Sequence, residues 1–100
     1  MQLTKQEIDF LKTLFSSAPV NRAFIFGSYA RIEEERESDV DILVELDYSK
    51  HIGLGFIKLK QDLEEALHKN VDLVSAEGVS PHILPFINKD KQLIYERKNK

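Results

Sequence analysis

The sequence predicts an α/β (α+β) domain, a small mixed β-sheet of about four strands covered by helices. Three observations carry that prediction. Short apolar runs rich in β-prone residues occur at 22–26, 40–46 and 71–74, with another at 93–95. Apolar residues at helical spacing fill 5–15 and 53–68. The second helical stretch lies between two of the apolar runs, and strand, covering helix and strand together make a crossover unit in a mixed or parallel sheet. One hundred residues, 42% hydrophobic and 31% charged, suit one compact domain over 1–100. A chain of this size buries roughly 65% of its unfolded surface, enough for a single core.

Taken in order, the first helix is expected over 5–15. Thr4 and Glu7 stand at capping-box spacing, Leu3 and Ile8 can close a hydrophobic staple, and Ile8, Leu11, Leu14 and Phe15 form an apolar stripe. Ser16-Ser17-Ala18-Pro19 breaks it. The strand at 22–26 is apolar on both faces, which predicts a central place in the sheet. A short helix is expected over 28–31, and the glutamates that follow read as a solvated helix end or loop. The second strand starts at 39 or 40 and runs to about 46. In the helix over 53–68, Phe56, Leu59, Leu63, Ala66 and Leu67 fall near one face, and Lys69-Asn70 stops it before the third strand. Ser80-Pro81 opens a further helix whose regularity Pro85 limits. Residues 91–96 then form a final edge strand, and the tail from Arg97 onward is expected to fray.

Composition narrows the chemistry. The net charge of −3 argues against a dedicated nucleic-acid binder, which would present a basic face to the phosphate backbone. A nucleotide carrying its own cations, or a basic protein surface, is the more natural partner. With no cysteine there are neither disulfides nor thiolate metal sites, so any metal is held by oxygen or imidazole. That is compatible with the cytoplasm. No apolar run approaches the roughly 18 residues of a membrane span, and residues 1–10 lack a secretory core.

The most informative stretch is Phe24-Ile25-Phe26-Gly27-Ser28-Tyr29-Ala30-Arg31 followed by Ser38-Asp39-Val40-Asp41-Ile42-Leu43-Val44. Strand alternation sends Asp39 and Asp41 to one face and Val40, Ile42 and Val44 to the other. Adjacent carboxylates repel, and a divalent cation between their oxygens reverses the sign of that term; magnesium, a hard cation, prefers such ligands. Gly27 lets a ligand approach the backbone, and Ser28 adds a hydroxyl and an N–H at a helix start, where anions are attracted.

At these residues the chain resembles the nucleotidyltransferase superfamily related to DNA polymerase β, whose motif is Gly-Ser, about ten residues, then Asp-x-Asp. More narrowly it is similar to the minimal nucleotidyltransferases, small proteins encoded beside HEPN-domain toxins and regarded as their antitoxins. A third carboxylate on a later strand belongs to the pattern, and Asp72 in Val71-Asp72-Leu73-Val74 matches it. The resemblance covers roughly 20–96 and departs from the family at Ile32, where many members carry glycine.

The resemblance implies transfer of AMP from ATP to a hydroxyl of a cognate HEPN RNase toxin, a tyrosine in that family, with the two proteins forming a hetero-oligomer. It implies two magnesium ions, about 3.5–4 Å apart in such sites. Asp39 and Asp41 would ligate both, Asp72 would complete the one nearer the attacking hydroxyl, and Gly27 and Ser28 would grip the β- and γ-phosphates. Arg31 is either a basic residue near the triphosphate or a surface partner of a neighbouring glutamate. If it is buried, an acid such as Asp72 inside a four-residue apolar strand itself demands a partner or a cation.

Other classes fit less well. A sugar transferase can use Asp-x-Asp, but its catalytic domain is normally far larger, and no P-loop pattern is present. His51, His68 and His82 lack metal-ligand spacing and read as surface or packing residues. Tyr29 and Tyr48 read as packing or pocket-edge residues. Two alternatives to protein adenylylation stay open: an antitoxin that acts by binding alone, and a nucleotidyltransferase with a small-molecule acceptor.

Overall fold

The structure is a computed structural model that describes residues 3–27 and 39–98. The expected helix over 28–31 therefore lies outside the described residues. Along the chain come α1 (Lys5–Ser16), β1 (Val20–Phe26), β2 (Val40–Leu46), α2 (Gly55–Leu67), β3 (Val71–Ser75), a 3-10 turn (Ala76–Gly78), α3 (Leu84–Asp90) and β4 (Gln92–Glu96). The strands form one mixed sheet in the order β3-β2-β1-β4. β1 runs antiparallel to both neighbours, and β2 runs parallel to β3 with α2 as the crossover.

The capping box expected at α1 is present: the Glu7 N–H donates to Thr4 Oγ1 at 3.1 Å and the Thr4 N–H to Glu7 Oε1 at 2.9 Å. Leu11 and Phe15 of α1 and Leu59, Leu63 and Leu67 of α2 pack on one face of the sheet, against Ile25, Val40, Ile42, Val44, Val71 and Leu73. Fully burying each such side chain stabilises by about 1.5–3 kcal/mol, so this layer fixes the sheet. The other face carries a smaller cluster of Phe24, Leu43 and Ile87, with Phe26 and Val74 packed against it. Ile87 belongs to α3, which thus packs on that face at the Phe24–Leu43 pair. No helix among the described residues is long and apolar enough to cross a membrane.

Three local expectations are corrected. Ser80 does open a turn, accepting the Ile83 and Leu84 N–H groups at its carbonyl at 3.0 and 3.1 Å, but the regular helix begins only at Leu84. Pro85 consequently falls in the first turn of α3, where a missing N–H costs nothing, and it does not disrupt the helix. α2 ends slightly before Lys69-Asn70, because His68 takes the left-handed conformation at φ 55°. The third correction concerns the tail. The Arg97 N–H donates to the Asn21 carbonyl at 2.8 Å, and its guanidinium reaches the carbonyls of Val20 at 3.0 Å, Phe15 at 3.3 Å, Ser16 at 3.2 Å and Ala18 at 2.6 Å. Arg97 is a clasp between the end of α1 and the start of β1, and two of its acceptors, Phe15 and Ser16, lie in the last turn of α1, where carbonyls run short of intrahelical partners.

At the end of β2, Asp47 Oδ1 accepts both the Ser49 N–H at 3.0 Å and the Ser49 hydroxyl at 2.5 Å. The side-chain bond first, and the backbone bond second, hold the Asp47 carboxyl below the usual range. A lowered native pKa contributes stability above the unfolded value that is lost as pH falls through the native one. In a carboxyl NMR titration, Ser49→Ala moves the Asp47 midpoint up toward an ordinary aspartate; an unchanged midpoint contradicts this. Arg97→Ala lowers unfolding free energy by roughly 2 kcal/mol, the scale of charge-assisted hydrogen bonds, read from the urea midpoint. A loss within error would show the clasp to be idle.

Candidate active site

Asp41 and Asp72 are register partners across the parallel β2–β3 pair, and Phe26 is the register partner of Asp41 across the antiparallel β1–β2 pair. Register partners share a face, so Phe26, Asp41 and Asp72 form one row across three strands. Asp39 lies two residues before Asp41 and just ahead of β2. This row lies two residues along the strands from the Phe24–Leu43 pair on which Ile87 of α3 packs. The backbone register thus sets Asp72 beside Asp41, one of the two acids that the sequence pairs it with.

Local bonds fix that end of the sheet. The Val40 N–H donates to the Asn70 carbonyl at 3.0 Å, which joins the starts of β2 and β3. The Val71 N–H donates to Glu64 Oε2 at 3.0 Å, so a carboxylate of α2 holds the residue next to Asp72. Sequence reasoning missed Glu64, because a glutamate on the polar side of a helix carries no signal of a strand beyond it.

Gly27 follows Phe26 with φ +74°, in the left-handed region. A Cβ built there would overlap Asp41 Oδ2 and lie 3.2 Å from Asp41 Cγ. The absent side chain is thus the space the Asp41 carboxylate occupies. From sequence, Gly27 was expected to serve an incoming ligand; the geometry gives it a second duty toward the acid. Ser28 and Arg31 lie outside the described residues.

The condition under which Asp72 would have demanded a cation is not met: Asp72 is exposed, as is Asp39, while Asp41 is half-buried. Water can therefore solvate Asp72, and its burial does not require a cation. Among the described residues no group of three His, Cys, Asp or Glu side chains is gathered closely enough to hold a metal ion. The donor set is nonetheless all hard oxygen, and the backbone brings two of the acids to adjacent strands on one face. Like charges in such neighbouring positions repel and favour splayed side chains until a cation screens them. His51, His68 and His82 are all exposed, and Tyr48 is 52% exposed.

Comparison with known proteins places this arrangement. A Methanocaldococcus jannaschii protein, provisionally named a protein adenylyltransferase, is 48% identical over 62 residues, 62% of this chain and 66% of that protein. The chain thus spans just under two thirds of that relative's length. The protein adenylyltransferase MntA of Thermococcus cleftensis is 40% identical over 86 residues, 81% of this chain and 86% of that protein. In structure, the chain superimposes on one from a complex of a tri-AMPylated Shewanella oneidensis HEPN toxin with an MNT antitoxin. The TM-score is 0.71 at 20% identity, covering 95% of this chain and 74% of that one, a likeness of fold.

Gly27→Ala destabilises the chain by about 1–2 kcal/mol from the positive φ, with a further cost from the overlap with Asp41. Placed in an Asp41→Ala background it loses the overlap part, so a double-mutant cycle by chemical denaturation gives a coupling near 1 kcal/mol; strict additivity would detach Gly27 from Asp41. The polymerase β nucleotidyltransferase family model matches residues 6–100, and the chain belongs to that family.

Proposed function

We propose that this chain is a magnesium-dependent protein adenylyltransferase that acts as an antitoxin, moving AMP from ATP to a hydroxyl, a tyrosine, of a cognate HEPN toxin. The observation that carries the reading is the Asp41–Asp72 register pair beside Gly27. Support for the acceptor class comes from the names of the two relatives and from the HEPN complex whose antitoxin fold the chain shares.

In the proposed reaction the acceptor oxygen forms a bond to the α-phosphorus, the bond from that phosphorus to the bridging oxygen breaks, and pyrophosphate leaves. The acceptor proton passes to Asp72, whose exposed carboxylate faces an acceptor arriving from outside. Asp39 and Asp41 would hold the magnesium, with Asp72 completing the ion nearer the acceptor. Magnesium, when bound, supplies charge that lowers the acceptor's pKa and offsets the charge on the phosphates. Gly27 and Ser28 form the grip for the β- and γ-phosphates, and Arg31 adds charge beside them. Asp39 and Asp72 are exposed, which suits an acceptor hydroxyl carried by a partner protein.

The test mixes the protein, magnesium, α-labelled ATP and the toxin encoded beside it. Wild type labels the toxin, whereas Asp39→Ala/Asp41→Ala reduces labelling by at least about 100-fold, the scale of losing electrostatic stabilisation at a reacting phosphate. Equal neutralisation of the toxin by both forms, with no label on either, would replace catalysis by simple occlusion. Asp72→Asn separates the roles: it lowers labelling while leaving nucleotide affinity nearly unchanged. Wild-type labelling by Asp72→Asn removes that acid from the chemistry.

A further inference from the structure

Lys91 stands on the same face of the sheet as the acids, and two independent observations put it there. The β1–β4 register matches Phe24 with Leu93 and Ile25 with Gln92. Lys91, extended at φ −62° and ψ 141°, carries that line one residue further, to the level of Phe26. Its Nζ lies 4.4 Å from the centroid of the Phe24 ring, and Phe24 belongs to the apolar cluster on the acid-bearing face. The row of Phe26, Asp41 and Asp72 thus gains a cation at its other end.

Strands are spaced about 4.8 Å apart, so roughly 10 Å separates the backbones of Lys91 and Asp41, a gap that a lysine stem can largely span. A second charged row on this face is paired within itself. There Arg22 Nε is 2.7 Å from Glu45 Oε1, with Glu96 Oε2 at 4.0 Å from its guanidinium, and the charges answer one another. In the upper row the ammonium rests on an aromatic ring, with Phe26 between it and the carboxylates. A cation over a ring is attracted more weakly than one bonded to an anion, and a flexible stem exchanges the first for the second readily.

The geometry points to Lys91 as a nucleotide-binding residue: its ammonium donates to a phosphate oxygen of the bound nucleoside triphosphate. Gly27 follows Phe26 directly and abuts Asp41, so a phosphate chain anchored at the acids and the glycine turn has the Phe26 position between it and the lysine, within reach of the lysine stem. The inference rests on the nucleotidyl-transfer reading and adds to it a charge from the far edge of the sheet.

The experiment measures equilibrium binding of a β,γ-imido ATP analogue with magnesium by calorimetry, and of adenosine by chemical-shift titration, using the full chain. Lys91→Met weakens the triphosphate analogue about tenfold, the scale of one charge-assisted contact, and leaves adenosine unchanged. Lys91→Arg restores most of the affinity, and Lys89→Met, which removes a charge from the last turn of α3, stays within about twofold. Wild-type affinity in Lys91→Met, an equal loss for adenosine, or an equal loss in Lys89→Met overturns the inference. A wild-type protein that binds no triphosphate would sink the nucleotidyl-transfer reading as well. Selective loss in Lys91→Met without any labelling of toxin would keep Lys91 and discard only the transfer.

Discussion

The parallel pairing of β2 with β3 is the constraint on which the rest depends. It sets Asp41 against Asp72 on one face, and nothing in hydrophobic burial would choose that neighbour. Like charges at opposed sheet positions cost on the order of a few tenths to 1 kcal/mol. The fold tolerates this because Val40, Ile42, Val71 and Leu73 alternate with the acids and are buried on the other side. A one-residue slip would turn those apolar side chains to solvent and the carboxylates into the core. The same alternation that builds the core therefore aims the site.

The two faces of the sheet divide the work. α1 and α2 pack on one, while α3 packs on the other through Ile87 on Phe24 and Leu43. The acids, Gly27 and Lys91 stand at the next level along the strands from that pair. Gly27 and Asp41 are close neighbours there, because even one methyl group on Gly27 would meet the Asp41 carboxylate.

Much of this was legible in the chain. The capping box at Thr4 and Glu7, the order of strands and helices and the central place of β1 followed from local spacing, which depends only on neighbouring residues. So did the face on which Asp41 stands, opposite Val40, Ile42 and Val44. The contribution of Asp72 to that face was legible through family resemblance, but its exposure was not, since a short apolar strand at a sheet edge buries one side only. Arg97 and Lys91 were missed for a common reason. Each acts on partners distant in sequence, α1 carbonyls in one case and the Phe24 ring in the other, and a basic residue near a chain end offers no local pattern to reveal it. Pro85 misled because its cost depends on where the helix starts, which tertiary packing moved to Leu84.

The central claim is that Asp39, Asp41 and Asp72 gather around a shared cation that their backbones only prepare. Titrating manganese, as a paramagnetic stand-in for magnesium, into isotopically labelled protein and following amide line widths tests it most directly. The account predicts that signals at and beside Asp39, Asp41 and Asp72 broaden together and first, well below one equivalent of metal. Broadening that begins instead around Asp62 and Glu65 on α2, or that reaches Asp41 without Asp72, would contradict it.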